Sequence, residues 1–136
     1  MVPGFPGTAK LCLIDALPRA THLDPPHLRL VARVVATQLQ HSLILVADGQ
    51  DGLVVDIDLA VRGGAIPPKV KDLVMLTGEL CLADPPTPIP SIATAHSSPA
   101  VDPSRLLKAT NLVPCEELDM CEWRAAVKAV QQHAAT

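Results

Sequence analysis

Aromatic side chains are almost absent from this chain. Among its 136 residues there are one phenylalanine, one tryptophan and no tyrosine. Modules that bind single-stranded nucleic acid by stacking need several surface aromatics, and this chain has almost none to offer. An excess of positive charge is absent as well, since the formal net charge is −3. A dominant nucleic-acid-binding role usually leaves a basic footprint, so the charge balance leaves room only for a small local patch.

Long apolar runs are also missing. Every apolar run is far shorter than the roughly 20 residues of a membrane-spanning helix, so we expect no membrane segment. Residues 1–10 contain prolines and no continuous apolar region, which does not fit a secretory signal peptide. The four cysteines are therefore expected to be reduced.

Motifs for enzyme chemistry and for metal binding are absent too. The cysteines form no CxxC pair, no serine or cysteine stands in a recognisable nucleophile motif, and no Gly-rich phosphate loop occurs. One pair of carboxylates, Asp56 and Asp58, would point the same way from a strand and could then hold a metal or perform acid/base work. Val55, Ile57 and Leu59 alternate with this pair, as in a half-buried strand, so we interpret both acids as facing water. We expect no enzyme activity, no catalytic residue, no metal site and no cofactor.

What the chain does have is apolar residues, 49% of the total, in short runs separated by turn residues. The length suits one domain over residues 1–136. Alternating and β-branched runs predict five strands, of which the first three form a meander, and Gly78 within the fourth predicts a bulge or bend. We also expect a short leading strand within residues 8–15 and a short helix or turn near residues 67–71. The five predicted strands are residues 27–39, 42–48, 53–61, 72–84 and 105–113.

Two further segments complete the predicted layout. Residues 84–104 are rich in proline and serine, and we expect a flexible loop between strands four and five. A helix over residues 116–132 follows the last strand, with acids in its first turn and Lys128 near its end. Five strands and a closing helix fit the small Greek-key barrel called the OB-fold. The expected fold class is therefore all-β with a C-terminal helix, a five-stranded OB-fold barrel; a β-sandwich would need about seven strands.

The predicted C-terminal helix carries two apolar stripes at about 100° per residue. They are Met120, Trp123, Val127 and Val130 on one side, and Leu118, Cys121, Ala125 and Ala129 on the other. A terminal helix needs only one stripe to pack on its own domain, so a partner would have to cover the second. Because tryptophan and methionine are enriched at interfaces, we assign the first stripe to a protein partner. In the alternative interpretation Trp123 plugs the barrel and the other stripe is ordinary surface.

Three cations could touch phosphates. Arg29 and Arg33 share the outward face of the first predicted strand, and Lys108 lies on the outward face of the fifth. OB-folds bind single strands across barrel strands 2 and 3 and nearby loops, so these side chains are candidate nucleic-acid contacts. Ordinary solvated charges are an equally consistent interpretation. If the cations do bind, an autonomous single-strand-binding module is a second functional hypothesis.

Several stretches together resemble a known family. The stretches are PGTAKLCL (6–13), LRLVARVVATQLQHSLILVADG (28–49), VKDLVMLTGELCL (70–82) and LLKATNLVPCEELDMCEWRAAVKAV (106–130). They resemble the entrance to the first strand, the first two barrel strands, a strand with Gly-Glu-Leu near its end, and the last strand and helix of the Ten1 family. Lys108 matches a basic position of that family. Ten1 is the smallest subunit of the telomeric CST complex.

The resemblance implies a nuclear, non-enzymatic subunit at the telomeric region of chromosomes. It implies pairing with the Stn1 subunit, itself an OB-fold, through the barrel and the C-terminal helix, and through Stn1 with the large CST subunit. The complex binds single-stranded telomeric DNA, protects ends and regulates fill-in synthesis by polymerase α–primase. For this subunit, DNA contact would be weak or indirect and polymerase contact indirect. The small subunit of replication protein A has the same layout, and residues 45–59 suit it nearly as well.

Overall fold

The computed structural model describes residues 9–21, 23, 25–83, 86–90 and 99–135. Within these residues there are six strands and two α-helices. In chain order they are β1 (Lys10–Leu11), β2 (His27–Gln38), β3 (Leu43–Asp48), β4 (Asp51–Asp56), α1 (Asp58–Arg62), β5 (Leu73–Leu82), β6 (Arg105–Pro114) and α2 (Met120–Ala135). No helix in this part of the chain is both long and apolar enough to cross a membrane.

Strands β2 to β6 close into a five-stranded barrel. β2, β3 and β4 form an antiparallel meander, β4 pairs in parallel with β6, and β6 pairs antiparallel with β5. β5 then pairs antiparallel with β2 and completes the circle. The short β1 adds in parallel to β2. This is the OB-fold arrangement, so the predicted fold class is confirmed.

The barrel interior is built almost entirely from aliphatic side chains. Leu28, Leu30, Leu76, Leu80 and Leu107 are fully buried and belong to one continuous core cluster. Apart from Leu30, which precedes the buried Val31, they alternate with exposed or half-buried residues along their strands, which is the period of a sheet with one face inside. Burying each such side chain stabilises the fold by about 1.5–3 kcal/mol, so leucine, isoleucine and valine can build this core without aromatics.

The bulge predicted at Gly78 is confirmed. The register between β5 and β6 shifts between Thr77 and Gly78. A Cβ atom at Gly78 would lie 2.7 Å from the Cα of Ala109 and even closer to the carbonyl oxygen of Lys108. Because β6 backbone occupies the space of a side chain, only glycine fits at this position.

The third predicted strand is wrong at its C-terminal end. β4 stops at Asp56, whose carboxylate accepts a hydrogen bond of 2.9 Å from the backbone N–H of Asp58. Asp58 is therefore the first residue of α1 instead of a strand residue. A short carboxylate that satisfies a free N–H favours the start of a helix over continued pairing. The helix or turn expected near residues 67–71 is only a turn, at Val70 and Lys71.

Other predicted boundaries also shift. The leading strand expected within residues 8–15 is limited to β1, and residue 8 lies outside the described residues. Within the predicted loop 84–104, residues 84, 85 and 91–98 are outside the described ranges, whereas Ala100 bridges to Asp51 in parallel. The C-terminal helix begins at Met120 instead of residue 116.

Asp119 sets the start of α2. Its carboxylate accepts hydrogen bonds from the N–H groups of Cys121 at 2.8 Å and Glu122 at 3.3 Å, which is the geometry of a helix N-cap. We therefore expect Asp119→Ala to lower the free energy of unfolding by about 1 kcal/mol in urea denaturation. Glu117→Ala, at an exposed neighbouring acid, serves as the control. An equal loss in both variants would show that Asp119 does not act as a cap.

Candidate partner interface and nucleic-acid surface

Arg124 attaches α2 to the barrel. Its guanidinium pairs through Nη1 with Asp48 at the end of β3 and lies 3.4 Å, through Nη2, from the carboxylate of Asp15. The side chain of Asp48 is only 11% exposed, so this charge-assisted pair is partly shielded from water. The two contacts determine which side of α2 faces the barrel.

The first stripe of α2 lies on that side. Val127 is fully buried within the single chain, and Met120 and Trp123 are partly buried. Met120 lines a cleft with Val35 and Leu73 of the barrel. Of the four predicted partner residues, Val130 is the most exposed, at 49%. The centre of the stripe therefore packs on this chain's own barrel, and only its edge reaches the surface.

The outward side of α2 carries several small residues. Cys121, Ala125, Ala126 and Ala129 are all exposed, and the charged residues Glu122 and Lys128 are exposed among them. Together with Trp123 and Val130, Ala126 forms a continuous apolar ridge, because positions three and four apart are neighbours on a helix. We call Trp123, Ala126 and Val130 the α2 ridge. Its small neighbours allow another helix to approach closely.

The three predicted nucleic-acid contacts lie around β2 and β6. Arg29 is exposed, and its Nε donates a 3.3 Å hydrogen bond to the hydroxyl of Thr77. Arg33 donates a 2.6 Å hydrogen bond from Nη1 to the carbonyl of Lys71 and lies 3.9 Å from Glu116. Lys108 is exposed on β6. The structure thus places all three on the outer surface, but on strands other than β3 and β4.

Acidic residues accompany these cations. Lys108 is in register with Asp56 of β4 on one side and with Glu79 of β5 on the other. Register partners project to the same face of a sheet, so two carboxylates flank this ammonium group. Nearby acids weaken the electrostatic attraction between Lys108 and a phosphate backbone. The patch is therefore mixed in charge.

The carboxylates Asp56 and Asp58 have structural partners. Asp56 accepts the Asp58 N–H, and the Asp58 side chain pairs with Arg62 at 3.0 Å, one turn along α1. The prediction that both carboxylates share one face of a strand is wrong, because Asp58 lies on the helix. Among the described residues, no cluster of three histidines, cysteines or acids could hold a metal ion.

Three of the cysteine thiols have a raised pKa. Burial raises the pKa of the Cys12, Cys81 and Cys115 thiols above the ordinary value. Lys108 lowers the pKa of Cys81, but by less than burial raises it. A raised pKa keeps more of each thiol protonated at neutral pH, and protonated thiols are poor nucleophiles.

The outer face of β3 and β4 is buried, which we did not predict from the sequence. Leu43, Leu45 and Val54 point away from the barrel interior, yet each is at most 7% exposed. They form a second apolar cluster, with Val101 and Leu106 packed against it. The unbroken apolar run over residues 43–47 was the available signal, since such a run is typical of a strand buried on both faces.

Neither the protein-family models nor the curated proteins include a match to this sequence. Among solved structures, the fold is similar to the telomere capping protein Ten1 from Saccharomyces pombe. That similarity has 13% identity and a TM-score of 0.61 and covers 92% of this chain and 99% of that chain. The fold is also similar to a chain of the S. pombe Stn1–Ten1 complex, with 14% identity and a TM-score of 0.61. This second similarity covers 93% of this chain and 95% of that chain. The chain therefore has a Ten1-like OB-fold.

Proposed function

We propose that this chain is the small, non-enzymatic OB-fold subunit of a CST-type telomere-capping complex and that it pairs with an Stn1-type OB-fold subunit. The Ten1-like fold supports this proposal over almost the whole chain, and the S. pombe Ten1 is found in a complex with Stn1. One observation of the molecule carries it furthest: α2 is attached to the barrel through Arg124 and leaves an apolar ridge at its edge, in which Ala126 and Val130 are exposed and Trp123 is partly exposed.

We assign the partner contact to the α2 ridge. Val130 and Ala126 are exposed, and Trp123 is partly exposed between them and the barrel. Val127, fully buried, and Met120, partly buried, support the ridge from below. The ridge begins with a tryptophan, a residue type that is enriched in binding hot spots. A helix of the partner can therefore lie along α2 and exclude water from Trp123.

The test is pairing after charge is placed on the ridge. We expect the double variant Ala126→Asp and Val130→Asp to lose co-purification with a co-expressed Stn1-type protein and to weaken pairing at least about 100-fold, because unpaired carboxylates would be desolvated in the interface. Both positions are exposed in the single chain, so the barrel should still fold. Circular dichroism and size-exclusion chromatography check the fold.

Ile66→Asp is the matched control, since Ile66 is 82% exposed and lies outside α2. It places a single carboxylate at another apolar surface position and should leave pairing unchanged. Full pairing by the double variant would exclude the α2 ridge as the partner surface. Equal loss in the control would point to a general effect of charge.

Direct contact with single-stranded telomeric DNA is a secondary part of the proposal. Arg29, Arg33 and Lys108 would touch phosphates, and the salt dependence of binding would report their number. Glu116 near Arg33 and the acids around Lys108 keep this contribution weak. The nuclear location at telomeres, the link through Stn1 to the large subunit, end protection and the indirect effect on polymerase α–primase belong to the same proposal.

A further inference from the structure

The outer face of β3 and β4 is covered by the chain segment that leads into β6. The N–H of Ala100 donates a 2.7 Å hydrogen bond to the carbonyl of Gln50, and the N–H of Gly52 donates a 2.9 Å bond to the carbonyl of Ala100. This pair of bonds fastens residues 99–101 to the start of β4. From there the chain turns and joins β4 again, where Leu106 is in register with Val54.

Side-chain packing follows the same path. Val101 and Leu106 pack on the cluster formed by Ala36, Leu43, Leu45 and Val54, whose members are at most 7% exposed. A Cβ atom at Gly52 would lie 2.9 Å from a methyl group of Val101 and 3.1 Å from the ring of Pro99. Residues 99–101 thus approach β4 closely at Gly52, a residue that has no side chain.

β3 and β4 are the second and third strands of the barrel, and OB-folds take up oligonucleotides across this pair and the neighbouring loops. We propose that residues 99–106 form an intramolecular strap that closes the β3–β4 face to single strands. The strap occupies the place of a ligand with its own backbone hydrogen bonds and aliphatic side chains. Lifting it would expose the aliphatic cluster to water, so the closed state predominates.

The closure extends the proposed function and does not depend on pairing with a partner. A face filled by the chain itself cannot also hold a base or a phosphate. The exposed cations Arg29, Arg33 and Lys108 lie outside this face, on β2 and β6. The candidate contacts for a single strand therefore lie on the outer surface of β2 and β6.

Hydrogen exchange of the full chain tests the strap, with and without an excess of a thymidine homopolymer. The two reporters are the amides of Gly52 and Ala100. We expect both to exchange as slowly as amides within the β3–β4 ladder and to keep their rates when the oligonucleotide is added. Exchange as fast as in an exposed turn would overturn the proposal. So would an oligonucleotide that accelerates Ala100 and protects β3 and β4, since it would have displaced the strap.

A substitution gives a second readout that needs no oligonucleotide. We expect Val101→Asp to accelerate exchange at Gly52 and Ala100 at least about tenfold and to increase binding of a dye that reports exposed apolar surface. Val70→Asp is the matched control at a position that is 49% exposed. If Val101→Asp fails to fold, Val101→Ala should give a smaller acceleration at the same two amides. Unchanged exchange in a folded Val101 variant would show that the segment does not seal the face.

Discussion

Replacing Gly78 by valine is expected to lower the free energy of unfolding by at least about 3 kcal/mol, or to prevent folding altogether. The added side chain would have to occupy space filled by the backbone of Lys108 and Ala109, and backbone in a paired strand cannot move aside as a flexible side chain can. β5 and β6 would separate at the bulge. Because this pairing helps to close the barrel, the damage would reach the whole core.

Thermal and urea unfolding of the purified variant measure this loss. Gly63→Ala is the matched control, since Gly63 has a φ of −81° and its added Cβ would be 3.4 Å from the nearest backbone oxygens. The control should change stability by no more than about 0.5 kcal/mol. A stable Gly78→Val barrel would mean that β6 does not approach β5 as closely as the bulge requires.

Replacing Arg124 by methionine is expected to detach α2 from the barrel and to lower the free energy of unfolding by about 1–3 kcal/mol. The apolar part of the side chain is kept, but Asp48 loses its cationic partner in a site where its side chain is only 11% exposed. The second partner, Asp15, has a side chain that is 43% exposed, so water screens that pair and its share of the loss is small.

Limited proteolysis within α2, together with urea unfolding, reports the detachment. Lys128→Met is the matched control, because it removes an exposed cation from the same helix. The control should resist the protease like the unsubstituted protein. We also expect Arg124→Met to weaken pairing with the Stn1-type subunit, because the α2 ridge would no longer be oriented. Equal proteolysis in both variants would indicate that packing alone holds α2.

The sequence by itself determined the barrel. Alternation along residues 27–38 and 73–82 placed leucines inside and charges outside, since successive side chains of a strand point to opposite faces. A glycine within an otherwise apolar strand indicated the bulge. The scarcity of aromatics and the absence of excess positive charge predicted at most a small local patch for nucleic acid. These features are local or compositional, so folding does not change them.

Only the tertiary structure decided which surfaces are covered. Periodicity showed two stripes on α2, but the pairing of Arg124 with Asp15 and Asp48, residues distant in sequence, determined which stripe meets the barrel. The spacing of Asp56 and Asp58 could not reveal that one carboxylate starts a helix at the other. The strap at residues 99–106 was hidden in a Pro/Ser-rich segment, because its partners are backbone groups and side chains of distant strands. Contacts between residues far apart in the chain produce no periodic pattern in the sequence. Only the folded structure therefore shows which surfaces remain exposed.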